Sequence, residues 1–143
     1  MKSDRAFRLC FVLLTVLHTA GCQLDSRDQV LATTNSQLAQ RAISTRAFDT
    51  PDVSTVFRAT ISALQDLGFV VDRADDRLGT ISATRLSNGI VRITVTMRPL
   101  SGGRTAVRAS GQHNLQALTD PAPFQAFFNT LSQALFLAAN EID

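Results

Sequence analysis

The chain of 143 residues holds two cysteines, two histidines, no tryptophan and no tyrosine, and each shortage closes off a class of chemistry. Cys10 and Cys22 both lie near the N-terminus, so no disulfide framework staples the rest, and the fold must rest on its own core. His113 is the one histidine beyond residue 18. A zinc site therefore lacks its ligands. A nucleophilic serine would lack an oriented base, and His113 reads as a strand-end or surface histidine. The absence of Trp and Tyr weighs against a sugar groove that relies on stacking rings, and against paired glycosidase carboxylates within one. Gly102-Gly103 is a turn with no helix after it, not a phosphate-cradling loop. Asp72, Asp75 and Asp76 form the one acidic cluster, but their spacing is not that of an alternating calcium loop and no distal Glu follows. Arg73 and Arg77 offset the cluster, which is expected to be a solvated, ion-paired turn. No catalytic residue, metal site or dissociable cofactor is expected.

The N-terminus has little apolar length. Lys2, Arg5 and Arg8 precede an apolar stretch from Leu9 to Leu17, which is too short to cross the hydrocarbon layer and has the architecture of a secretory signal. Its ending, Leu17-His18-Thr19-Ala20-Gly21-Cys22, looks like a bacterial lipobox with Thr19 where Leu is usual. In that motif the cysteine thiol is acylated before cleavage. Residues 1–21 are then a signal peptide and Cys22 a lipidated N-terminus; the alternative is an ordinary cleaved signal followed by a chance cysteine. Gln23 in place of an aspartate favours the outer membrane under the enterobacterial sorting rule. Acyl chains, at ~0.8 kcal/mol per buried methylene, hold a protein firmly without a further membrane segment.

Removing Lys2, Arg5, Arg8 and Asp4 leaves eleven of the fourteen basic residues, all Arg, and eleven of the twelve acidic ones, so the mature chain has no formal net charge. That argues against a nucleic-acid partner, whose phosphates call for a basic stripe. Residues 22–42 are rich in Gln, Thr, Ser, Asn and Asp and read as a flexible tether. A weak amphipathic pattern, Val30-Leu31 with Leu38, offers the alternative that this stretch folds back on the domain.

Residues 43–143 carry the patterns of a single domain. Ile43 to Asp49 alternates as a strand. Thr50-Pro51-Asp52 supplies a capping hydroxyl, a proline for the first helical position and an acid for the helix dipole. Val53, Val56, Phe57, Thr60, Ile61, Leu64 and Leu67 follow at helical spacing up to a left-handed cap at Gly68. Phe69-Val70-Val71, a charged turn from Asp72 to Gly79, and Thr80 to Arg85 come next. Asn88-Gly89 marks a hairpin into the clearest strand, where Val91, Ile93, Val95 and Met97 alternate with Arg92, Thr94, Thr96 and Arg98. Thr105 to Asn114 makes the last strand. Asp120 and Pro121 open a second helix with the stripe Phe124, Phe127, Phe128, Leu131, Leu135, Ala138. The pattern predicts an α+β two-layer sandwich: an antiparallel sheet of about five strands, in the order strand, helix, four strands, helix, covered by two helices.

Arg46-x-Phe48-Asp49-Thr50-x-Asp52, Leu67-Gly68-Phe69, Leu78-Gly79-x-Ile81 and Phe127-Phe128-x-x-Leu131-Ser132-x-x-Leu135-Phe136 resemble a family of uncharacterised proteobacterial outer-membrane lipoproteins over residues 43 to about 139. More loosely, the element order is similar to small domains of envelope assembly lipoproteins, including one in the outer-membrane protein assembly machine. Neither resemblance implies an active-site residue. Two features suit binding. Arg92, Thr94, Thr96 and Arg98, extended by Arg108, would present guanidinium forks to phosphates or carboxylates of lipid headgroups or acidic partners, although alternation alone predicts an ordinary exposed face. Phe136 and Leu137 lie off the helix stripe and could form a docking patch, unless they mark a frayed helix end or lie under the tether. The expectation is a non-enzymatic, lipid-anchored accessory or structural component of an envelope complex, on the periplasmic face of the outer membrane, with an envelope protein as partner. The alternative is a periplasmic module holding a lipid or other amphiphile between helices and sheet.

Overall fold

Three consecutive strands with apolar residues at every second position form the platform of the domain. The computed structural model describes residues 36–86 and 89–140, within a compact unit spanning Gln37–Asp143. In chain order the elements are a helix over residues 36–44 (α1), β1 (Thr45–Phe48), α2 (Val53–Asp66), β2 (Val70–Asp75), β3 (Thr80–Leu86), β4 (Ile90–Leu100), β5 (Arg104–His113), β6 (Gln116–Ala117) and α3 (Pro121–Ala139). The sheet is antiparallel throughout and runs β1-β5-β4-β3-β2, with β6 pairing the far end of β5.

Register brings like residues together. Ala83 lies opposite Ile93 and Ile81 opposite Val95, which in turn lies opposite Ala109; Met97 lies opposite Val107. All seven are buried. Against this face α2 packs Val56, Ala59, Thr60, Ala63 and Leu64, and α3 packs Phe124, Phe127, Phe128 and Leu131. Each large side chain so buried contributes roughly 1.5–3 kcal/mol. The architecture is the expected two-layer α+β sandwich. The buried Thr60 hydroxyl donates to the Val56 carbonyl (2.7 Å), and buried Thr105 donates to the Thr50 carbonyl (2.7 Å), fastening β5 to the β1–α2 connection.

Both helix ends of α2 are closed locally. Asp52 is the N-cap, its carboxylate accepting from the Ser54 and Thr55 amides at 2.9 and 3.2 Å. The Thr55 hydroxyl also donates to it, and this bond, aided by those two amides and the Arg58 charge, holds the Asp52 pKa below its ordinary value. At the other end Gly68 sits at φ 78°. The Phe69 amide reaches the Leu64 carbonyl (2.9 Å) and the Gly68 amide the Gln65 carbonyl (2.8 Å), the paired bonds of a Schellman cap. On α3, Asp120 caps by accepting from Ala122 N (2.9 Å), with Pro121 at the first position.

The structure corrects the sequence reading at several boundaries. Asp52, not Thr50, caps α2, which leaves Pro51 outside the helix. Asp72 to Asp75 belong to β2, an edge strand, where charged side chains reach water while the backbone still pairs; the turn is confined to residues 76–79. Asp72 is the extra residue of a bulge between Val71 and Arg73. A two-residue strand, β6, follows β5. Ile43 and Ser44 end α1 rather than opening a strand, and α1 takes up the last part of the expected tether. Ile43 packs on the core, Ser44 is buried, and Gln40 Nε2 donates to the Leu118 carbonyl (3.0 Å). The stripe on α3 stops sooner than expected: Leu135 is half-buried and Ala138 exposed. Cys22 and Asn88 lie outside the described residues.

Candidate functional site

Sheet alternation has a second consequence: whatever does not face the helices faces outward together. On β4 these are Arg92, Thr94, Thr96 and Arg98, and on β5 Arg104, Ala106, Arg108, Ser110 and Gln112. The register sets Thr96 directly across from Arg108, Arg98 from Ala106 and Arg92 from Gln112. Thr45 of β1 lies on the other side of Arg108. All five residues expected from the sequence therefore share one open face. Arg104 joins them; the same alternation carries it there, although the sequence reading left it out.

The charge on this face is of one sign along three strands. No Asp or Glu occurs between Asp76 and Asp120, so β3, β4 and β5 contain no acid. Arg92, Arg98, Arg104 and Arg108 are exposed, and none forms an ion pair among the described residues. Asp72, on the edge strand, accepts from the Thr84 hydroxyl (2.6 Å). A hollow of about 250 Å³ opens between Arg92, Thr94, Ser110 and Gln112. The arginines are exposed and the threonines between them half-buried. Such a row can accept carboxylates or phosphates in bidentate fashion.

A second site lies at one end of the sandwich, where the last turn of α2, the first turns of α3 and the sheet leave an apolar cleft of about 320 Å³. Leu67, Phe69, Val91, Ile93, Phe124 and Phe127 contribute walls, and Arg85 lines it too. Arg85 follows Ile81 and Ala83 at alternate positions on β3, the row that faces the core. Its Nη1 donates to the Leu67 carbonyl (3.0 Å) at the C-terminus of α2, and its guanidinium carbon lies 4.7 Å from the Phe69 ring centroid. Both contacts favour a cation there. Its Nε is nonetheless buried without a hydrogen-bond partner among the described residues, an arrangement that costs roughly 1–3 kcal/mol when no acceptor arrives. Sequence reading missed this site. The available signal was an arginine on an apolar row.

Phe136 and Leu137 are each 67% exposed. Leu137 also lines a groove between α2 and α3, with Thr55, Arg58, Ser62 and Gln133 along it. His113 ends β5 opposite Val91. Within the acidic cluster, the Asp75 carboxylate accepts from the Leu78 amide (3.1 Å) and lies 3.8 Å from the Arg73 guanidinium. Among the described residues no three potential metal ligands cluster, and no helix is long and apolar enough to cross a membrane. Comparison with protein-family models and with curated proteins finds no match for this chain.

Proposed function

We propose that this chain is a lipid-anchored protein of the bacterial cell envelope. Acyl chains on Cys22 hold it in the outer membrane, and its α+β domain works on the periplasmic face as a non-enzymatic accessory or structural component of an envelope complex. The observation that carries the reading is a pairing: a signal-like segment ending at Cys22 precedes a domain whose open sheet face bears four arginines and three strands free of acid. An anchored domain of this kind is suited to an acidic protein surface, which its guanidiniums would steer and orient. Phe136 and Leu137 offer an apolar contact beside the helices. The motif resemblance to proteobacterial outer-membrane lipoproteins points the same way.

The test is co-purification of the native protein from detergent-solubilised membranes, repeated with Arg98→Glu/Arg108→Glu. The account expects a defined protein partner that dissociates as salt rises, because exposed charges are screened within about 10 Å at 0.1 M salt, and that is lost in the double variant. Recovery of the protein alone under all conditions would contradict it. A second reading, an amphiphile-binding module, is favoured by the apolar cleft at Arg85.

A further inference from the structure

We infer that the cleft between the end of α2, the start of α3 and the sheet binds a single-chain amphiphile with an anionic head, which pairs with Arg85. The inference deepens the amphiphile-binding reading and rests on it. Cleft size is the first argument: about 320 Å³ lies at the lower end of the range for small-ligand sites and suits one chain rather than two.

Arg85 supplies the second argument. A guanidinium has five N–H donors, and closing the C-terminus of α2 uses one, through Nη1 to the Leu67 carbonyl. Helix capping and stacking on Phe69 therefore account for the presence of a cation but leave Nε buried and unpaired among the described residues. A carboxylate or phosphate accepts two parallel bonds from such a fork. A cationic or merely hydrophobic ligand would leave Nε as it is.

The other charged groups at the cleft do not oppose this. Arg92 belongs to the open face. Asp120 has its carboxylate bonded to Ala122 N at the start of α3, where the helix dipole offsets its charge.

The rim is also built to persist. Gly111 has no Cβ, and one placed there would meet Leu118 side-chain atoms at 3.4 Å, so glycine lets Leu118 lie close against β5. The Leu118 amide donates to the Gly111 carbonyl (2.8 Å), and its own carbonyl accepts from Gln40 of α1. β5 and α1 thereby hold this wall in place.

A lauric-acid probe carrying a terminal diazirine, photolysed with the full-length protein in phosphatidylcholine nanodiscs, tests the assignment. Peptide mass spectrometry should place label on the segments containing Arg85–Ile93 and Leu118–Phe127. Excess laurate or dodecyl phosphate should cut that label at least tenfold, the better competitor identifying the head, whereas dodecyltrimethylammonium and monolaurin should not. Arg85→Gln should lower cleft labelling to a similar degree while circular dichroism stays native. The competition on the unaltered protein stands even if that variant fails to fold. Labelling of the cleft that ignores head charge would overturn the anionic assignment and leave amphiphile binding intact. Label found only outside the cleft would overturn both.

Discussion

Among the described glycines, Gly79 is the one whose missing Cβ would meet backbone most closely. It sits at φ 59°, and a Cβ there would lie 2.7 Å from the Met97 carbonyl oxygen, which belongs to the residue whose amide donates to Gly79 O (2.7 Å). The left-handed backbone alone costs a side chain roughly 1–2 kcal/mol. Gly102 has a similar φ of 76° but open space around it. Gly79→Ala should therefore lower the urea midpoint clearly more than Gly102→Ala, and equal shifts would contradict the close approach. Asp52 is sensitive to pH rather than to size. Because hydrogen bonding, first from the Thr55 hydroxyl, depresses its pKa in the folded state, it stabilises the fold above the ordinary carboxylate range and loses that contribution as pH falls toward the folded value. The stability gap between wild type and Asp52→Asn should narrow between pH 7 and about pH 3 in paired denaturant titrations. A constant gap would remove the carboxylate from the account.

Helix entry is where elements can be tested. Thr50 and Asp52 both have capping chemistry, yet the bonds to Ser54 and Thr55 come from Asp52. Thr50→Ala should fall within about 0.5 kcal/mol of wild type, and Asp120→Ala should cost about 1 kcal/mol by loss of the α3 cap. Chemical denaturation of the two variants checks both, and a larger loss at Thr50 would contradict the observed cap.

The same comparison shows what sequence made legible. Periodicity was enough for the bodies of α2, α3, β3 and β4, because each has one strongly apolar side, and the α3 cap falls at Asp120 as the sequence indicates. They were not enough for β2, where Asp72, Arg73 and Asp75 look like a turn: edge pairing is a property of backbone neighbours, not of hydropathy. Nor did they reveal α1, whose tie to the domain runs through Gln40 and a carbonyl 78 residues away. The arginine face was readable from alternation in β4, with Arg104 overlooked. Arg85 was present in the pattern as a charge in an apolar row, but the cleft around it exists only once α2 and α3 converge.

At the scale of the whole molecule, the distribution of charge bears on the proposed anchor. If residues 1–21 are removed, as proposed, the remaining chain is formally neutral, yet four arginines gather on one open face, while the acids lie in the N-terminal segment, on α2 and β2, in the connections between elements and at the C-terminus. A neutral domain of this kind can face an acidic partner without carrying the general affinity for polyanions that a strongly basic protein has. The proposed anchor at Cys22 would limit which partners that face can meet.

The anchor is the claim on which location, partner and role all depend, and the intact mass of the protein purified from cell envelopes tests it directly. The account predicts a chain that begins at Cys22, lacks residues 1–21 and carries the added mass of acyl groups on its first residue. A protein recovered with an unmodified Cys22, or with Met1 still in place, would contradict it.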